Sequence, residues 1–187
     1  MSTEENVIAP DYLKDAASLI TKDGFPVSNV WYHGTTSSLV KGIKNKGLHG
    51  GGDSAWIKRS QGTLKTIGNR TFETQDPVFL TQSKELAYFW AEQRTHSRNL
   101  YFKKDEIPVV IQVSQPEKVS PDVGGTAMLL EPSNQYILTL KAIYEQHGVA
   151  WNDANPLEVP REFYLEKLGL AYSSKNIPAE KLSILVP

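Results

Sequence analysis

Trp31-Tyr32-His33-Gly34-Thr35-Thr36 closes a run of β-forming residues with a histidine, a glycine and two threonines in succession. Imidazole is the side chain that can donate, accept or carry a proton near neutral pH. The following glycine lets a ligand approach the backbone where a Cβ would stand in the way, and Thr35 and Thr36 add hydroxyls. Alone, His-Gly-Thr is a weak pattern, and a lone histidine is more often structural than catalytic. A second group lies further on, where Pro77-Val78-Phe79-Leu80-Thr81 is followed by Ser83 and by Tyr88-Phe89-Trp90. Aromatics at helical spacing usually fill a core. Three in succession cannot share one helix face, so at least one is left for another task. A third group is the carboxylates Glu158, Glu162 and Glu166. A fixed anion stabilises positive charge that grows in a transition state, although most glutamates are solvated surface groups.

These groups need elements to hold them. Asn29 to Thr36 reads as a strand delivering His33, and Ser37 or Ser38 suits the cap of a short helix carrying Leu39, Val40 and Ile43. Gly47 ends that helix. Val78 to Thr81 reads as a second strand, and a helix follows from Ser83 to about His96. Pro108 to Ser114 is β-branched enough for a buried strand. Pro10 opens a helix pattern through Tyr12, Leu13, Ala16, Ala17, Leu19 and Ile20, with Gly24 closing it. Ser133 to Gln146 reads as a helix with Tyr136, Leu140, Ile143 and Tyr144 inward. Arg161–Leu165 and Leu182–Val186 are strand candidates, with a short turn at Ile177–Glu180. Residues 49 to 76 have no period, contain Gly50, Gly51 and Gly52, and are basic through Lys58, Arg59, Lys65 and Arg70. An aperiodic stretch this long in one domain is more often functional than accidental.

With 187 residues and 40% apolar content, the chain is long enough to bury one full core. A net charge of −1 gives no global field toward nucleic acid or an anionic membrane, leaving only local basic patches. Cysteine is absent, which excludes disulfides, thiolate catalysis and cysteine-ligated metal. His33, His49, His96 and His147 lack ligand spacing, so no metal is expected. There is no Walker A motif, no GxGxxG and no GxSxG elbow. The polar, acidic N-terminus has no Sec-type pattern, and no apolar run reaches the roughly 20 residues of a membrane span. The expectation is a soluble, cytoplasmic protein, or one delivered into a host or target cell by a route that leaves no such mark.

The order of the first two groups, His33-Gly34 at one strand end and Phe79 with Tyr88 around the next strand and helix, resembles the ADP-ribosyltransferase superfamily. The similarity is to its His-Tyr-Glu type, the diphtheria-toxin-like and poly-ADP-ribose-polymerase-like enzymes. The resemblance implies a single α+β domain over residues 1–187, with two short mixed β-sheets forming an NAD cleft and helices flanking it. It implies that His33 bonds a ribose hydroxyl, that the Gly34 backbone holds the nicotinamide carboxamide, and that Phe79 and Tyr88 stack on the nicotinamide ring, with Thr35 and Thr81 among the NAD-binding residues. Phe79 stands where such members often place a tyrosine, so it can stack but not donate. Glu162, or alternatively Glu158, would take the family's glutamate role beside the oxocarbenium-like transition state, with Glu166 third. Gly51, Arg59 and Arg70 fall where relatives cover the adenosine half of NAD, and an arginine there could pair with the pyrophosphate bidentately.

The implied activity is NAD-dependent transfer of ADP-ribose to a macromolecular acceptor, protein or nucleic acid, with nicotinamide released. RNA 2′-phosphotransferases are similar too, sharing the Tyr32-His33-Gly34-Thr35 opening, the Gly47-Leu48 helix end and the Pro108-Val109-Val110 strand. That reading also uses NAD, needs basic side chains such as Arg94, His96 or Arg98 near His33, and gains if the glutamate is missing. A binding module for a nucleotide or ADP-ribose, without turnover, is the third reading.

Overall fold

The computed structural model describes residues 7–14, 20–26, 28–51, 77–114, 116, 118–122, 134–151 and 159–187. Strand β1 (Val30–Thr36) is its organising element. On one side β1 pairs antiparallel with β3 (Pro108–Ser114) along its whole length, from Val30↔Ser114 to Thr36↔Pro108. On the other it meets β2 (Val78–Thr81) at a single register pair, Tyr32↔Thr81. With β4 (Ser120–Pro121), β5 (Leu170–Ser173) and β6 (Leu182–Leu185), the strands form one six-stranded sheet in the order β4-β5-β2-β1-β3-β6. Every pairing is antiparallel. The α+β class is as expected, but the strands form this one antiparallel sheet in place of two short mixed ones. Within that sheet β1 and β2 meet at this one register pair, which leaves a narrow seam between them.

Strand alternation divides β1 between two environments. Trp31 belongs to a buried cluster with Leu48, Val78, Leu80, Val113, Leu165, Ala171 and Ile177, so His33 and Thr35 point to that face. Leu80 is fully buried there and contributes about 2 kcal/mol by the transfer of its side chain from water. Tyr32 and Gly34 point to the opposite face, where α2 (Lys84–Phe102) lies. Helix α2 starts at Ser83, whose Oγ accepts from the N–H groups of Glu85 and Leu86 at 3.2 and 3.4 Å. It ends at Lys103, in the left-handed region with φ 52°.

Gly34 permits the helix to lie on the strand. A Cβ there would stand 2.1 Å from the Ala87 carbonyl oxygen and 2.7 Å from the Ala91 nitrogen, both backbone atoms.

Helix α1 (Ser37–Lys46) follows β1 directly and closes on Gly47 at φ 84°. Thr36 is its N-cap without a side-chain cap bond, in place of the expected serines. Ser37 Oγ instead accepts from the Ile107 N–H, and Ser38 Oγ accepts from Arg98. Helix α3 (Gln135–Gln146) buries Tyr136, Leu140, Ile143 and Tyr144 as its spacing predicts. The Tyr136 and Tyr144 hydroxyls donate to the Leu168 and Lys167 carbonyls at 2.7 and 2.8 Å, satisfying both buried groups.

Residues 161–168 form helix α4 (Arg161–Leu168), which corrects the strand expected at Arg161–Leu165. Pro160 before it and Gly169 after it, the latter left-handed at φ 62°, are the usual boundaries of a helix. The alternation of Phe163 and Leu165 was too short to distinguish the two periods. The strand instead follows, as β5. Near the N-terminus Asp11–Leu13 is a 3-10 turn with Leu13 buried, and residues 15–19 of the expected helix lie outside the described residues.

Candidate functional site

The seam is where sequence candidates and geometry meet. Beyond Tyr32↔Thr81 the β1–β2 ladder stops, and the His33 ring crosses the gap, with Nδ1 2.8 Å from the Phe79 carbonyl oxygen. A carbonyl can only accept, so Nδ1 carries the proton and, in the neutral ring, Nε2 presents a lone pair. Burial lowers the His33 pKa below its ordinary 6.5. The Phe79 carbonyl bond opposes this, and the positive charge of Arg94 adds to it. The ring is therefore neutral at pH 7, with its tautomer fixed by a backbone atom. Nε2 in this state can accept a hydrogen bond from a hydroxyl.

Phe79 is 48% exposed, unusually open for a large apolar side chain in a short strand. Its direct cross-strand partner is Tyr172 on β5, so the two rings share a face. By alternation that is the α2 face, opposite His33, because Val78 and Leu80 belong to the cluster on the His33 side. A ligand touching both the imidazole and these rings must enter the seam itself. Arg94, half-buried on α2 three residues past Ala91, bears on His33 electrostatically from the same region. Desolvation also lowers the Arg94 pKa, with Glu106 opposing.

Other candidates are not gathered there. Tyr88 packs beside Ala9, Leu13, Ala87 and Val110, and its hydroxyl donates to Glu92 Oε1 at 2.9 Å. Burial, with the Glu92 bond second, raises its pKa to about 12. Gly34 serves the approach of α2, as described above, which corrects the expectation that its missing Cβ opens the backbone to a ligand. Thr35 is buried. Thr81 is buried and donates to the Ser83 carbonyl at 2.8 Å, fixing the turn from β2 into α2. Gly51 has φ 87° and open space around its Cβ position. Glu162 is exposed on the first turn of α4, so it opens a helix and not the strand expected for it. Glu158, Arg59 and Arg70 lie outside the described residues. Strand β5 beside the seam reads Leu-Ala-Tyr-Ser and carries no carboxylate.

Of the basic residues weighed beside His33, His96 is exposed, and Arg98 is committed elsewhere. Arg98 Nε donates to Glu106 Oε2 at 2.7 Å and its Nη2 to Glu106 Oε1 at 3.0 Å, both side chains buried. Thr36 Oγ1 adds a bond to Glu106 Oε2 at 2.9 Å, anchoring the strand end just past His33. These bonds hold the Glu106 carboxyl at about 2, the Arg98 bond being the largest cause. Glu106 and Tyr172 were not singled out from sequence. No motif marks a buried ion pair eight residues apart, and Tyr172 emerges only once β5 is known to be a strand.

No family model, curated protein or solved structure matches the chain. Among the described residues there is no cluster of three His, Asp or Glu side chains able to hold a metal, and no helix long and apolar enough to cross a membrane.

Proposed function

We propose that the chain is an NAD-dependent ADP-ribosyltransferase that takes the dinucleotide into the β1–β2 seam. The observation that carries this reading is His33: a neutral imidazole whose Nδ1 proton is committed to the Phe79 carbonyl. Its Nε2 is left as an acceptor suited to a ribose hydroxyl. The exposed Phe79 ring, with Tyr172 beside it, is an aromatic surface for a planar nicotinamide. NAD supplies the transferable group. The bond from ribose C1′ to nicotinamide nitrogen breaks, its electron pair leaving with nicotinamide, and an acceptor nucleophile bonds C1′ and releases a proton to solvent. His33 would orient the ribose, Phe79 would hold the ring, and the carboxylate would come from Glu158 or, after rearrangement of α4, from Glu162.

The test is nicotinamide release from NAD by the purified chain, with and without cell lysate, beside His33→Ala, Glu158→Gln and Glu162→Gln. Release that falls with His33→Ala supports the reading, and loss in one glutamate variant assigns the carboxylate. No release by folded protein under either condition overturns it. NAD or ADP-ribose binding without turnover would make the chain a binding module.

A second reading, an NAD-dependent RNA 2′-phosphotransferase-like enzyme, is favoured by two observations. The Arg94 charge bears on His33, and β5 lacks a carboxylate. In this version Arg94 holds the RNA phosphate and no glutamate is required. NAD-dependent loss of phosphate from a 2′-phosphorylated oligonucleotide, abolished by Arg94→Met and indifferent to both glutamate variants, would select it.

A further inference from the structure

We infer that the free edge of β6 is a homodimerisation surface, on which a second copy of the chain pairs its own β6 antiparallel about a two-fold axis at Ile184. The two edge strands of the open sheet are β4 and β6. An edge strand presents a row of unpaired N–H and C=O groups, and natural sheets blunt such rows with proline, charge or brevity. Strand β4 is blunted twice over, since it has two residues and the second, Pro121, has no N–H. Strand β6 has neither proline nor charge, and from 182 to 186 the sequence reads Leu-Ser-Ile-Leu-Val. One side of it pairs with β3 from Val113↔Leu182 to Val110↔Leu185. Among the described residues the other side carries no strand.

The side chains of β6 are also incompletely covered. Leu182 packs against the cluster of Trp31, Leu48 and Val113, and Leu185 against Leu13 and Val110 on the opposite face. Even so, Leu182, Ile184 and Leu185 stay half-buried, and Val186 is 70% exposed. Two kinds of occupant extend a sheet edge, a foreign peptide or another copy. A peptide is selected through pockets for its alternate side chains, since main-chain bonds give affinity without specificity. The cavity of about 440 Å³ lies along α2 and is lined by no residue of β6. The cleft just before the strand, at Ile177, Pro178 and Lys181, holds only about 10 Å³. An uncharged apolar row without pockets is matched by a row like itself. In an antiparallel ladder the close and wide hydrogen-bond pairs alternate, so a two-fold axis must pass where a residue faces its own copy. With Ile184 on the axis, Leu182 faces Val186 of the second copy and Ser183 faces Leu185 of the second copy. The whole segment is then paired and no charge meets a charge. Shifting the axis to Ser183 would leave Val186 unpaired and set Lys181 against Leu185 of the second copy. Five residues a side fall well short of the roughly 20 to 30 of a standard interface. The dimer is therefore weak and reversible, with a Kd of about 10 to 100 μM.

The experiment is sedimentation velocity from about 5 to 500 μM, a range that brackets the expected Kd. The edge variant is Ser183→Lys with Val186→Lys, both at exposed positions. The control is Leu100→Lys with Leu138→Lys, exposed on α2 and α3, which gives the same change in net charge. The natural chain and the control should pass from the 20.9 kDa monomer to twice that mass as concentration rises. The edge variant should associate at least about tenfold more weakly. The chain has no cysteine, so Ile184→Cys gives a second, independent measurement. On the axis the two thiols stand within reach of a disulfide. Mild oxidation should therefore link this variant into covalent dimers at least about tenfold faster than Leu138→Cys, and this arm decides if the lysine variant fails to fold. A natural chain that stays monomeric, an assembly larger than a dimer, equal weakening in both lysine variants, or equal cross-linking at 184 and 138 would each overturn the inference. None of these measurements involves NAD, so failure of the transferase reading leaves the inference standing.

Discussion

Replacing Arg98 by Leu tests whether the buried Arg98–Glu106 pair is what holds α2 to the end of β1. The carboxylate of Glu106 accepts from Arg98 at 2.7 and 3.0 Å and from Thr36 at 2.9 Å. Asn99 locks the same residue by its backbone, accepting from the Glu106 N–H at 2.8 Å and donating to its carbonyl at 2.9 Å. The carboxyl falls from 4.5 to about 2, which at full value corresponds to about 3 kcal/mol of native-state stabilisation. Glu106 borders an open cavity of about 440 Å³ lined also by Thr95, His96 and Asn99, and screening from that side trims the figure to about 2 kcal/mol. Loss of one partner of a buried pair costs more than the pair is worth, since the other charge stays desolvated. For Arg98→Leu we therefore expect about 3 kcal/mol lost at pH 7.

Urea unfolding followed by circular dichroism measures this. The double variant Arg98→Leu with Glu106→Leu, which leaves no charge behind, should recover at least about half of the loss. The pH dependence has a fixed sign. A depressed carboxyl stabilises the fold fully above 4.5 and progressively less as pH falls toward 2, so the gap between the natural chain and Arg98→Leu must narrow over that interval. A loss under about 1 kcal/mol at pH 7, or a gap that stays constant down to pH 2, would refute this account of the pair.

Gly34→Ala places a methyl against two backbone atoms of α2 that have nowhere to yield, and we expect a cost of about 3 kcal/mol and a fall of roughly 10 °C in the thermal midpoint. A calorimetric scan within a degree or two of the natural chain would mean that α2 slides freely over β1. Ser83→Ala removes the cap of α2 and should cost about 1 kcal/mol, against only a few tenths for Ser83→Gly, read by the same unfolding assay. His33 should titrate below 6.5 in the folded chain, because burial disfavours its charged form. Below 6.5 the unfolded chain takes a proton that the native ring refuses, so stability should decline as pH falls through that value. The proton resonances of the ring report this directly, and a midpoint at or above 6.5 would show that the ring is solvated.

The parts of the fold that were legible in sequence are those where one local signal decides. The β-branched run at Pro108–Ser114, the strand at Val30–Thr36 and the apolar face of α3 all follow from periodicity. Where two periods compete over a few residues, as at Arg161–Leu168, capping was the better guide than alternation. Of the sequence candidates, His33 and Phe79 are the two that the fold brings together, beside the one pair that joins β1 to β2. Tyr88 matched a motif position, but helical phase turns it toward Val110 and Leu13, and phase relative to a sheet is a tertiary property. Residues such as Glu106 and Tyr172 acquire meaning from partners distant in sequence.

The seam also decides how a variant at His33 must be interpreted. Because the ring spans from β1 to the Phe79 carbonyl, His33→Ala removes a structural hydrogen bond worth about 1 kcal/mol together with any ligand acceptor. The two can be separated by covalent geometry. Asn carries its amide nitrogen as many bonds from Cβ as Nδ1, and Gln carries its terminal atoms as far out as Nε2. His33→Asn should therefore keep the bond to Phe79 and near-natural stability while lacking an acceptor at the Nε2 position. His33→Gln should lose about 1 kcal/mol but retain a group there. If His33 acts on a ribose hydroxyl, nicotinamide release must collapse in the stable Asn variant and persist in part in the less stable Gln variant. If activity instead follows stability across the three variants, the imidazole does no more than close the seam, and the chemistry belongs to other residues.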